Sequence, residues 1–168
     1  MSGKPRLGGR GFKYPPLFSE KALIIKVEGK SIDEIKIGDS AEWARTVTED
    51  DISLFAKATG DFNPVHLDQS YAEKTLFKGR IAHGLLSLGY ISTVLGNILP
   101  GHGTIYLSQE VKFLGPVRIG DTITARVEVT ELHPEKNRAK FKTVCFNQEG
   151  KIVVDGAAWV MPPKRGSE

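Results

Sequence analysis

From Ile81 to Gly101 the chain carries no Asp, Glu, Lys or Arg, and Leu85, Leu86, Leu88, Ile91, Val94, Leu95 and Ile98 are spread around the whole helical wheel. A helix that is apolar on every side is either a buried central helix or a membrane span. A span needs about 20 predominantly apolar residues, whereas His83, Ser87, Ser92, Thr93 and Asn97 interrupt this stretch and Pro100-Gly101 closes it. The pattern therefore predicts a buried helix and no membrane span.

Upstream, Thr48 opens a second helix. Glu49, Asp50 and Asp51 place acids in its first turn, at the positive end of the helix dipole. Ile52, Phe55, Ala56 and Thr59 follow at helical spacing, and Gly60 stands where the helix should stop. Asn63-Pro64 suits an N-cap with proline in the first turn of a short helix continuing through Tyr71, Ala72 and Thr75. Residues 21–28 and the segment from Ser40 to Val47 read as strands.

Downstream of Gly101 the period changes to two. Ile105, Leu107, Val111 and Phe113 alternate, with Gln109 interrupting, and Ile123, Ala125, Val127 and Val129 share one face. The segment AKFKTVCFN reads as a strand, residues 148–151 as a hairpin turn, and IVVDGAAWVM as the last strand. Helix, buried helix and then antiparallel strands make an α+β fold in which a sheet encloses one apolar helix.

The 168 residues, 40% hydrophobic and 26% charged, suffice for one domain with a full core. Residues 1–36 hold eight Lys/Arg against four Asp/Glu, and the remainder 15 against 16, so the net +3 charge comes from an N-terminal arm. The body carries no footprint of a nucleic-acid-binding domain. Residues 1–35 read as a basic, Gly- and Pro-containing, partly ordered extension, and residues 163–168 as a short tail. No signal-peptide pattern opens the chain, and the single cysteine, Cys145, cannot form an internal disulfide. Both point to a reducing compartment: the cytoplasm or, in a eukaryote, the mitochondrial matrix. Cys145 reads as a small core residue, and Trp43 and Trp159 as packing anchors rather than stacking platforms.

The candidate chemistry lies in two places. In Gly60-Asp61-Phe62-Asn63-Pro64-Val65-His66, the acid and the imidazole are five positions apart, about 140° around an ideal helix. They can meet only on a folded loop, which the flanking glycine and the intervening proline supply. At His83-Gly84, the head of the uncharged helix, backbone N–H groups lack intrahelical partners, and Gly84 presents no side chain to block an approaching carbonyl. Taken singly, each residue also has a plain structural reading: turn former, cap, buried histidine, packing glycine. His66, His83, His102 and His133 show no close ligand pairing, with His102 and His133 at loop positions. No metal is expected.

Together, Gly60–His66 and Ile81-Ala82-His83-Gly84-Leu85-Leu86 resemble the signature of the MaoC-like dehydratases, the (R)-specific enoyl-CoA hydratases and 3-hydroxyacyl-thioester dehydratases. The resemblance covers about residues 36–162 and includes Tyr106-Leu107-Ser108-Gln109 and Pro116-Val117-Arg118-Ile119-Gly120-Asp121. It implies a hotdog fold, a long central helix wrapped by a curved antiparallel sheet, and a homodimer. It further implies a CoA or acyl-carrier thioester substrate, an Asp61/His66 hydratase dyad and a Gly84 N–H that polarises the thioester carbonyl. Asn63 would shape the loop, and the Ser92 hydroxyl would bond the catalytic carboxylate. His83 matches the pattern without a role that follows from it. No cofactor is required. A noncatalytic acyl-binding or partner subunit and a hotdog thioesterase are the alternative readings.

Overall fold

Alternation in the C-terminal half becomes long strands. The computed structural model describes residues 28–165. Five antiparallel strands form one sheet: β1 (Ser40–Thr46), β2 (Ile105–Phe113), β3 (Thr122–His133), β4 (Arg138–Phe146) and β5 (Ile152–Met161), in the order β1-β3-β4-β5-β2. On β3 the expected face, Ile123, Ala125, Val127 and Val129, is fully buried, and β4 buries Ala139, Phe141, Thr143 and Cys145 beside it. Thr143 is the polar member of this row, and its hydroxyl accepts from Gln109 Nε2 at 2.9 Å. Burial pushes the Cys145 thiol up to about 12, which makes it a packing residue.

Among the described residues β2 is paired only with β5 and forms one edge of the sheet. Its register shifts between Tyr106 and Ser108, so Leu107 is the extra residue of a bulge. Gln109 lies beyond the bulge on the same face as Val111, and its polar side chain is the one that bonds Thr143. His133 is the last residue of β3 rather than a loop residue. The strand expected over residues 21–28 falls, apart from Glu28, outside the described residues. A 3-10 turn, Ile32–Glu34, adds Ile32 and Ile35 to the core.

Helix α1 (Glu49–Thr59) starts and stops as its sequence predicts. Thr48 and Asp51 form a capping box, and Gly60 closes the helix at φ 79° with its N–H donating to Ala56 O. Two short helices follow, α2 (Pro64–Leu67) and α3 (Gln69–Ala72). The uncharged stretch forms α4 (Gly84–Asn97), which sets Ser87, Tyr90, Ile91, Val94 and Leu95 against the sheet. Its other side, with Leu85, Gly89 and Ser92, is open in the single chain. Among the described residues no helix is long and apolar enough to cross a membrane.

Gly156 shows how closely β2 and β5 approach. A Cβ built there would run into the Glu110 carbonyl oxygen. Gly156→Ala must push the two strands apart, and overpacking of this kind costs about 1–3 kcal/mol. Urea denaturation should show a matching loss in a folded variant. An unchanged midpoint would contradict this close approach.

Candidate active site

The end of α1 launches the loop that carries the acid. Asp61 N donates to Thr59 Oγ1 at 3.3 Å, and Asp61 Oδ1 accepts from Asn63 N at 3.2 Å. Asn63 Oδ1 in turn accepts from Val65 N at 3.2 Å, capping α2 with Pro64 in its first turn. These bonds fold the chain back so that His66, inside α2, is buried while Asp61 stays exposed.

The His66 ring is fixed at one edge by the Ile81 carbonyl, 2.8 Å from Nδ1. A carbonyl only accepts, so Nδ1 carries the proton, and Nε2 of the neutral ring offers a lone pair. Burial, above all, holds the His66 pKa below its ordinary 6.5, and His83 pushes the same way. The bond to Ile81 and the Asp61 charge oppose this shift.

His83 comes from the head of α4. It is 2% exposed, and its Nε2 lies 3.0 Å from the main-chain oxygen of Asp61, so Nε2 is the protonated nitrogen. The His83 and His66 rings stack with centroids 3.9 Å apart and planes 31° apart, and the Phe55 ring lies 4.7 Å from His83. One ligand-type atom each from Asp61, His66 and His83 falls within 4.8 Å of the others. This corrects the expectation of no close histidine pairing: two loops bring together rings that are remote along the chain.

Gly84 is the first residue of α4, where a helix leaves its N–H groups unpaired. A Cβ at Gly84 would lie 2.7 Å from Phe113 Cε1, so the absent side chain also permits close packing of the helix head on β2. Asp61, Asn63, His66, His83 and Gly84 thus gather where the loop meets the head of α4. Ser92 stands exposed on the open side of α4, eight residues beyond Gly84.

Arg80 is a site-building residue that motif reading missed. Its Nε donates to the main-chain oxygen of His66 at 2.7 Å, while its two terminal nitrogens grip the Glu49 carboxylate at 3.0 and 2.7 Å. One guanidinium thereby ties the start of α1 to the back of the His66 turn. Its signal in the sequence is its place as the last charge before the uncharged stretch. Arg118 supports the same segment, with Nη2 donating to Phe77 O at 2.5 Å and Nη1 to Arg80 O at 3.4 Å.

The family model described as MaoC like domain matches residues 34–151. An (R)-specific enoyl-CoA hydratase of Rhodospirillum rubrum is 54% identical over 134 residues, covering 80% of this chain and 92% of the relative. A 3-hydroxybutyryl-CoA dehydratase of Methylorubrum extorquens is 43% identical over 133 residues, covering 79% and 84%. The unliganded structure of an R-hydratase from Pseudomonas aeruginosa superimposes with a TM-score of 0.77 at 47% identity, covering 82% of this chain and 88% of that one. The sheet, the helix packed against it and these relatives together make this chain a hotdog-fold member of the MaoC-like domain family.

Proposed function

We propose that this protein is an (R)-specific hydratase/dehydratase that interconverts trans-2-enoyl thioesters and (R)-3-hydroxyacyl thioesters, with CoA or an acyl carrier as the thiol. The observation that carries this reading is the pairing of the exposed Asp61 carboxylate with a buried His66 whose proton is committed to Ile81. One water held between them meets an acceptor at His66 Nε2 and another at the carboxylate. In the hydration direction a water proton passes to this pair, and the water oxygen bonds to C3. The C2–C3 π electrons move toward the thioester oxygen, and a proton then joins C2 as the carbonyl re-forms. The Gly84 N–H, aided by the positive end of α4, supports the negative oxygen in between. Asn63 keeps the loop in shape.

Water adds without any change in redox state, so the reaction needs no cofactor. The stacking of His66 and His83 also speaks for acid–base groups rather than a chelate. Imidazole lone pairs lie in the ring plane, and planes 31° apart run side by side instead of converging on one ion.

A homodimer belongs to this reading. Among the described residues β2 is a sheet edge with no strand on its outer side, and its Ile105 and Phe113 are more than half exposed. A second copy pairing there would protect the edge. Light scattering should give twice the chain mass, and a monomer at micromolar concentration would overturn the dimer. We place the protein in the cytoplasm, where the buried Cys145 thiol stays reduced.

The deciding assay is loss of enoyl absorbance from crotonyl-CoA and from longer and branched enoyl thioesters. Free thiol release in place of hydration would identify a thioesterase, and a folded protein inert on the whole panel would overturn the proposal. The pH profile adds a signed test. Because the His66 pKa lies below 6.5, its neutral form persists into mildly acidic solution. The acid limb of kcat/KM, which reports the free enzyme, should be centred below pH 6.5. An acid limb centred above 6.5 would contradict a buried neutral base.

A further inference from the structure

We propose that His83 is the positioning residue of the Asp61/His66 pair: a single imidazole that holds the Asp61 main chain through its Nε2–H while its ring seats His66. The inference rests on the hydratase reading but concerns a residue to which that mechanism gives no part.

His83 touches both members of the pair, bonding Asp61 O at 3.0 Å and stacking on His66 at 3.9 Å between centroids. It stands at the N-cap of α4, yet its side chain makes no capping hydrogen bond. Helix capping therefore does not explain a histidine there. The ring is 2% exposed, and its Nδ1 is buried without a hydrogen-bond partner among the described residues. A buried polar atom left unpaired costs about 1–3 kcal/mol, which a residue chosen only for packing would avoid. A phenylalanine would fill the same space against Phe55 without that penalty. What phenylalanine lacks is the N–H that reaches Asp61.

The geometry assigns two separable duties. The Nε2–H stops the Asp61 turn from rotating, and the stacked face keeps the His66 ring in the plane that the Ile81 carbonyl selects. The charged and titratable groups around His66 are Asp61 on the loop, His83 on α4, and the Arg80–Glu49 pair that reaches its main-chain oxygen from the other side. Removing His83 takes away one ring that shields His66 from water.

Three variants separate the duties. His83→Gln keeps a donor near the Nε2 position, His83→Phe keeps only the stacked ring, and His83→Ala keeps neither. Misplacing a reacting group by about 1 Å costs up to about 10²-fold in rate. His83→Ala should therefore lower kcat by that order with KM little changed, and the His66 imidazole, followed by NMR, should titrate at a higher pH than in wild type. His83→Gln should recover most of the lost kcat, and His83→Phe should restore the His66 titration without restoring kcat. If His83→Ala does not fold, the Gln and Phe variants decide the matter by the same contrast.

Folded variants with wild-type kcat and an unmoved His66 titration would overturn the proposal. Equal loss in the Gln and Phe variants would also overturn it. A wild type that hydrates nothing on the panel sinks the hydratase reading instead, and the titration shift still tests the seating of His66.

Discussion

Asp61→Asn should lower kcat for enoyl-thioester hydration by about 10²- to 10⁴-fold, the range associated with a positioned acid–base group. The substitution removes charge and basicity but keeps the shape of the loop. Asn63 N donates to Asp61 Oδ1 at 3.2 Å, and an asparagine carbonyl oxygen can accept the same bond. His83 holds the main-chain oxygen of residue 61, which the substitution leaves in place. Residue 61 is exposed, so stability should change by no more than about 0.5 kcal/mol. Loss of rate at unchanged melting temperature therefore isolates the carboxylate. A folded variant within threefold of wild type on every enoyl thioester would remove Asp61 from the mechanism.

The second large effect concerns a main-chain group. Gly84→Ala alone mixes two causes, because its Cβ would meet Phe113 Cε1 at 2.7 Å. Truncating the ring in Phe113→Ala makes room, and both double variants carry it, so any cost at the β2 edge cancels in their comparison. On that background, Gly84→Pro deletes the N–H while Gly84→Ala keeps it. Proline suits the first position of a helix, and the preceding residue, His83, has φ −60° and ψ 132°, the extended conformation that proline requires before it. The Pro/Ala pair should lose about 10²- to 10³-fold in kcat relative to the Ala/Ala pair, the cost of one oxyanion donor. Equal rates in the two double variants would leave Gly84 as a packing glycine. The experiment thus separates the two uses of this glycine that its sequence context leaves open.

Local signals carried much of the architecture. Thr48 and Gly60 bound α1 because caps act on the adjacent backbone. The face Ile123, Ala125, Val127 and Val129 was legible because side chains alternate along a strand. The turn from Gly60 to His66 was legible for the same kind of reason, since its bonds span two or three residues. Resemblance to a family, rather than periodicity, joined this turn to the head of α4 and supplied the hydratase reading.

Folding in three dimensions decided the rest. The exposure of β2 and the open side of α4 follow from strand order, which no short window contains. Arg80 reaches Glu49 and His66 only after the loop has closed. What the sequence by itself determined is where the elements run and which candidate residues they present, because propensity, capping and period act over a few neighbours. What only the tertiary structure decided is which of those residues meet and where each imidazole keeps its proton. Those depend on main-chain carbonyls, Ile81 for His66 and Asp61 for His83, brought from distant parts of the chain, and a carbonyl carries no residue identity to read in advance.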